Sequence, residues 1–166
     1  MGDDNGFEDF YNGTRQRVVT FLYAMSGDRT EAQDAAQEAF VRAWERWSAV
    51  SAYDDPEAWV RRVGYRLCLN RWRKTRNRMA AYRRHGTAPA VAPPSENTVA
   101  LVAALKRLSA AEREAVTLHH LLDLSVAEVA AQTGVPANTV KSRLVRGRRA
   151  LAALLGTDLS GEYENA

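Results

Sequence analysis

Apolar side chains recur every three or four residues along most of the chain, a spacing that predicts helices and leaves almost no strand-like alternation. Phe7, Phe10, Thr14, Val18, Phe21 and Met25 fall on one face of a first helix, over about residues 7–25. Gly27-Asp28-Arg29-Thr30 interrupts the pattern, and Thr30 with Gln33 forms a capping box for a second helix reaching about Trp47. Ala32, Ala36, Ala39, Phe40, Ala43, Trp44 and Trp47 are its expected buried side. After a polar interval at 48–54, Asp55 suits an N-cap and Pro56 the first helical position. The third helix runs from Glu57 toward Arg78 with Trp59, Val63 and Leu67 inward, and closes a small domain near Arg84.

Residues 85–98 hold three of the five prolines and no helical pattern, so they predict an extended linker. Helical periodicity resumes at Val99. Ser109-Ala-Ala-Glu112 is a capping box for a helix to about Leu122, and Ser125-Val-Ala-Glu128 is a second one, flanked by Leu124 and Val129 at the hydrophobic-staple positions. Gly134 stands where a left-handed C-terminal residue is needed. Pro136 then suits the start of a last helix, over about 137–155, because it brings no amide that must be paired. Val140, Leu144, Gly147 and Leu151 make its inner stripe; Asn138, Lys141, Ser142, Val145, Arg146 and Arg149 make its outer one. Gly147 is unfavourable in mid-helix and implies close packing on the preceding helix. The expectation is an all-α chain of two small domains, residues 7–84 and 99–155, joined by the linker 85–98.

A short helix, a glycine turn and a longer helix with a basic outer face is the geometry that sets one helix in the DNA major groove. Lys and Arg reach phosphates or guanine edges, while Asn and Ser bond base edges or backbone. A helical hairpin with a solvated basic face is the alternative; the agreement of caps, turn and stripe in one register favours DNA.

Charge adds a second feature. The net charge is only +3, yet residues 58–95 carry ten Lys/Arg and no Asp or Glu, while residues 1–57 carry five against twelve. A block of that kind predicts a polyanion footprint. Within it, Arg61, Arg62, Arg66, Arg71, Arg73 and Lys74 interleave with Trp59, Tyr65 and Trp72. Cations for phosphate and aromatic faces for exposed bases suit single-stranded DNA. Trp59 and Trp72 serve equally well as core anchors, and the inward periodicity of Trp59 favours core for it.

Enzyme chemistry finds little support. There is no Gly-rich phosphate loop, no cysteine cluster and no nucleophile motif, and adjacent His119 and His120 make a poor metal pair. No metal, cofactor or catalytic residue is expected. The lone Cys68 reads as a packed small residue and not a redox sensor. No apolar run approaches the ~20 residues of a membrane helix, and the acidic start is not read as a signal peptide. A cytoplasmic location without membrane insertion is the expectation.

The residues also carry a family resemblance. Leu-Ser-Ala-Ala-Glu-Arg-Glu-Ala-Val (108–116), Leu-Ser-Val-Ala-Glu-Val-Ala (124–130) and Thr-Val-Lys-Ser-Arg-Leu (139–144) resemble region 4 of bacterial sigma factors. Asp34-Ala-Ala-Gln-Glu-Ala-Phe-Val-Arg-Ala-Trp44 resembles the region 2.2 helix, and Trp59-Val-Arg-Arg-Val63 through Asn70-Arg71 resembles regions 2.3 and 2.4. Two such regions and a short linker are similar to extracytoplasmic-function (ECF) sigma factors of the actinobacterial, SigE-like type. The resemblance covers about residues 7–155.

The resemblance implies a transcription initiation factor that binds core RNA polymerase through its β′ and β subunits and recognises promoter DNA. It places polymerase binding on Asp34, Gln37, Glu38, Val41 and Arg42, a set at i, i+3, i+4, i+7 and i+8. Without the resemblance, that set reads as an ordinary exposed acidic face. It places −10 binding and opening on Arg61, Arg62, Tyr65, Arg66, Asn70, Arg71, Arg73 and Lys74, with the interval 48–55 as a specificity loop. It places −35 binding on Asn138, Thr139, Lys141, Ser142, Arg143, Arg146 and Arg149. It also admits an anti-sigma protein as a partner, and implies a linker path near the polymerase active-site and RNA-exit channels. Many relatives show Arg-Asn where this chain has Tyr65-Arg66, so a different −10 reading is expected. The competing class is a stand-alone helix-turn-helix regulator, which needs neither the basic block nor two domains. An RNA-binding antiterminator would carry an RNA-recognition fold, of which there is no sign.

Overall fold

The computed structural model describes residues 4–78 and 94–156, and the chain divides into two helical units, Met1–Pro93 and Pro94–Ala166. All described regular structure is helical, as the periodicity requires. The expected domain end near Arg84 and most of the expected linker, through residue 93, lie outside the described residues.

In the first unit, α1 (Asp4–Ser26), α2 (Arg29–Glu45) and α4 (Pro56–Arg78) pack against one another, with the one-turn helix α3 (Trp47–Val50) between α2 and α4. Six alanine and phenylalanine side chains of α2 are buried: Ala32, Ala35, Ala36, Ala39, Phe40 and Ala43. The small residues let α1 and α4 approach the α2 backbone closely, and Val18, Phe21, Leu22 and Met25 fill the space from α1. Phe7 and Phe10 meet Trp47 with ring centroids 5.3 and 5.0 Å apart, and Tyr11 meets Phe40 edge-on at 4.9 Å.

Four expectations shift here. The N-cap of α2 is Asp28, whose carboxylate accepts from the Glu31 amide at 2.9 Å; Thr30 already lies inside the helix. Trp44 is 57% exposed, so it is not part of the core. The one-turn helix α3 begins at Trp47 and runs into the polar interval, where its Val50 is fully buried. Asp55 does cap α4, accepting from the Ala58 amide at 2.8 Å. The inward side of α4 is Val60, Arg61, Gly64, Leu67 and Cys68, while Trp59 and Val63 are only half-buried.

In the second unit, α5 (Glu96–Lys106), α6 (Ala110–Val116) and α7 (Val126–Thr133) all contact the long α8 (Ala137–Leu155). α5 starts three residues before Val99, capped by Ser95. α6 does not continue to Leu122 as an α-helix; it widens into a π-helical turn over Thr117–Leu121. His119 Nδ1 lies 2.7 Å from the Leu124 carbonyl oxygen, and Asp123 takes a positive φ of 57° at the corner. Val102, Leu105, Leu108, Val116, Leu118, Leu122, Leu124, Val129, Val140, Leu144 and Leu151 form the core.

Candidate nucleic-acid and protein interfaces

The helix-turn-helix face follows from its caps. Ser125 Oγ accepts from the Glu128 amide at 3.1 Å while Glu128 Oε2 accepts from the Ser125 amide at 2.7 Å, a complete capping box at the start of α7. These bonds hold the Glu128 carboxyl below its ordinary pKa. At Ser109 only one half of the expected box is seen, the Glu112 amide donating to Ser109 Oγ at 3.2 Å. Gly134 ends α7 in the left-handed region (φ 70°), open to glycine without strain. Pro136 is the N-cap of α8, one position earlier than a first helical residue.

With the turn fixed, α8 buries Val140, Leu144, Gly147 and Leu151. A β-carbon at 147 would stand 2.6 Å from Val116 Cγ2, so the helix packed so closely there is α6 and not the preceding α7. The opposite stripe is exposed: Asn138, Lys141, Ser142, Val145, Arg146 and Arg149. Thr139 and Arg143 lie half-buried at its edges. Ser142 Oγ donates to the Asn138 carbonyl at 3.0 Å, and Arg146 lies 3.5 Å from the Glu112 carboxylate.

The basic block of α4 is divided by burial. Arg62, Arg66, Asn70, Arg73 and Lys74 are exposed, as are Trp72 and Arg76, whose guanidinium stands 5.3 Å over the Trp72 ring. Trp72 is 59% exposed, which settles it as a surface side chain. Tyr65 is half-buried and edge-on to Phe21 at 6.3 Å.

Arg61 corrects the sequence reading, being 3% exposed. Its Nη1 donates to Glu57 Oε1, to which Arg17 Nε also donates at 3.1 Å, and its guanidinium sits 5.8 Å from the Phe21 ring centroid. Burial lowers its pKa and Glu57 opposes the shift. This guanidinium is turned inward and paired with a carboxylate one helical turn before it, apart from the exposed cations of α4. Arg71 also departs from a purely outward role, since Glu31 and Glu38 of α2 hold it at 3.3 and 2.7 Å.

On α2, Asp34, Gln37, Val41 and Arg42 are exposed and Glu38 is half-exposed, so the expected docking set does share one surface. Trp44 joins it, three residues after Val41 and seven after Gln37. Its helical spacing from those two was the available signal, but its spacing from Ala36 and Phe40 points to the buried side instead. Cys68 is buried and its thiol is pushed up to about 12, first by burial and then by Glu31. Among the described residues no group of three or more His, Cys, Asp or Glu gathers to hold a metal, and no helix is long and apolar enough to cross a membrane.

Comparison with known proteins places this geometry. Residues 10–78 match the family model of sigma-70 region 2, and residues 98–151 match that of sigma-70, region 4. The chain is 31% identical to the ECF RNA polymerase sigma factor SigM of Mycobacterium tuberculosis, covering 93% of this chain and 80% of that one. It is also 31% identical to ECF RNA polymerase sigma factor SigC of the same species, covering 92% and 84%. Among solved structures, the sigma factor RpoE in complex with the anti-sigma factor NepR from Bartonella quintana shares the fold, at a TM-score of 0.72, 24% identity and coverage of 92% and 98%.

The chain belongs to the sigma-70 family, among the ECF RNA polymerase sigma factors. Sigma factors are not enzymes.

Proposed function

We propose that this sigma factor carries core RNA polymerase to promoters by reading the −35 element as duplex with α8 and opening the −10 element with α4. The observation that carries the reading is the exposure on α8 of one stripe that is polar and basic apart from Val145, behind which every inner position is buried. Such a stripe fits a major groove, where Lys141, Arg146 and Arg149 meet phosphates or guanine edges and Asn138 and Ser142 meet base edges or backbone. Arg62, Arg66, Asn70, Arg73 and Lys74, with the open Trp72 face, suit a displaced single strand. Stacking worth ~1–3 kcal/mol per base offsets part of the cost of unpairing.

Docking to polymerase falls to Asp34, Gln37, Glu38, Val41, Arg42 and Trp44, an acidic surface with two apolar side chains suited to a basic helical partner on the β′ and β subunits. Residues 7–84 and 99–155 serve as the two functional units. An anti-sigma protein is a further partner, supported by the fold shared with the RpoE of the NepR complex. The cytoplasm is the site of action. Run-off transcription with and without core polymerase tests the reading. Promoter-specific transcripts only with core and chain together are expected; tight specific duplex binding by the chain alone, without stimulation of core, overturns it.

A further inference from the structure

Arg71 stands between the two surfaces assigned above. Its guanidinium spans Glu31 and Glu38, which lie seven residues apart on α2, about 10 Å along the helix axis. Glu38 is used on both oxygens: Oε1 accepts from Arg42 Nη2 at 2.6 Å and Oε2 from Arg71 Nη2 at 2.7 Å. Both side chains are about one-third exposed, so an incoming cation can reach the pair. Ion pairs this exposed are weak enough to exchange partners. Glu31 is the less firm holder, since burial raises its pKa against the pull of Arg71, and its contact is the longer one. Lys74, one turn further along α4, is exposed on the basic surface.

We propose that Glu38 is a shared carboxylate that holds Arg71 away from DNA in the free chain and releases it when a basic partner docks on α2. Arg71 is then a positioning residue before docking and a phosphate contact after it, so that polymerase binding strengthens the single-strand surface. The inference rests on the reading of α2 as the polymerase face and α4 as the −10 face.

The test is the binding of a fluorescent, mixed-sequence single-stranded DNA oligonucleotide, measured by anisotropy. For the full chain without polymerase, Glu38→Gln should tighten binding by about two- to fivefold, the equilibrium equivalent of one exposed ion pair. The dependence of log affinity on log salt should steepen by about 0.7, for one added phosphate contact. In an Arg71→Ala background the same Glu38→Gln change should give no gain. An equal gain in both backgrounds would mean a general charge effect and would overturn the latch, as would no gain in either.

With core polymerase saturating, Arg71→Ala should weaken oligonucleotide binding several-fold while changing it little in the free chain. An equal effect in both forms would overturn the release. Circular dichroism of each variant checks folding, and Arg71→Gln replaces Arg71→Ala if the latter unfolds. A chain that never assembles with core overturns the reading of α2, and with it the release, whereas the cycle in the free chain needs no polymerase and judges the latch by itself.

Discussion

Gly147 on α8 lies so close to Val116 on α6 that a β-carbon at 147 would come within 2.6 Å of Val116 Cγ2 and 3.3 Å of Leu108 Cδ2. Alanine in mid-helix gains about 1 kcal/mol over glycine, but Val116 is β-branched and buried, so it has no rotamer to yield. Overpacking of that kind costs about 1–3 kcal/mol, and the second effect wins. Gly147→Ala should lower the melting temperature of the chain by circular dichroism. Adding Val116→Ala should return part of the loss, giving less than the sum of the two single changes. An unchanged or raised melting temperature for Gly147→Ala would refute the close contact.

Arg61 and Glu57 separate the structural cations of α4 from the exposed ones. Glu57→Ala takes the carboxylate from a buried guanidinium and should destabilise the first unit by about 3 kcal/mol, the lower end for a broken buried pair. Arg61→Met should cost less, because Glu57 keeps Arg17. Urea unfolding of both variants checks the order. Single-strand affinity should be unchanged by Arg61→Met and lowered by Arg66→Ala, with a shallower salt dependence for the latter. Equal loss from both would restore Arg61 to the DNA surface.

Replacing Lys141 or Arg146 by Ala should weaken binding of a −35 duplex by the holoenzyme, with assembly onto core unaffected. Glu38→Arg should instead lower assembly onto core, and promoter-bound holoenzyme should fall only in proportion to that loss. The two measurements are electrophoretic mobility of promoter DNA and co-elution with core polymerase. A Glu38→Arg chain that co-elutes as the parent does would remove Glu38 from the docking surface.

The capping box gives the second unit an acid dependence. Glu128 ionises in the fold below its ordinary value near 4.5, so its contribution is complete above that value and is lost as pH falls through the lower folded one. Glu128→Gln should remove this part of the acid dependence. Ser125→Ala should cost about 1 kcal/mol at neutral pH through loss of the cap. Melting curves taken from pH 7 downward distinguish the three chains; identical acid profiles for parent and Glu128→Gln would count against the box.

Cys68 should stay inert while the first unit is folded. Its thiol is buried and pushed up to about 12, so almost no thiolate forms near neutral pH. Labelling by iodoacetamide should follow unfolding in urea and not precede it. Rapid labelling of the folded chain would contradict the burial.

The sequence carried the second unit almost entirely, because its signals are local. Ser125 and Glu128, Leu124 and Val129, and Gly134 each act within one turn of their own backbone, and they set the register that leaves Lys141 and Arg146 outside. The first unit was less legible because tertiary partners decide its register. Arg61 turns inward because Glu57, one turn earlier, supplies a counter-charge beside Phe21, and that choice puts Val60 in the core in place of Trp59. Asp28 prevails over Thr30 as the α2 cap because its extended backbone (φ −126°, ψ 116°) aims the carboxylate at the Glu31 amide. Neither α3 nor the π-helical turn is long enough to leave a periodic trace; Val50 and Thr117 are set by what packs on them. Arg71 reads from sequence as one cation among ten, and only the fold shows the two carboxylates across from it.

All four tryptophans, Trp44, Trp47, Trp59 and Trp72, fall in the first unit, and two of them stand at the surface on different helices. The chain therefore carries label-free optical reporters of its own. Indole emission follows the first unit alone, leaving the second silent at those wavelengths. Trp→Phe changes at 44 and 72 would split the signal between the face of α2 and the face of α4, so that the order of two encounters could be timed in a stopped-flow cell without attaching a dye.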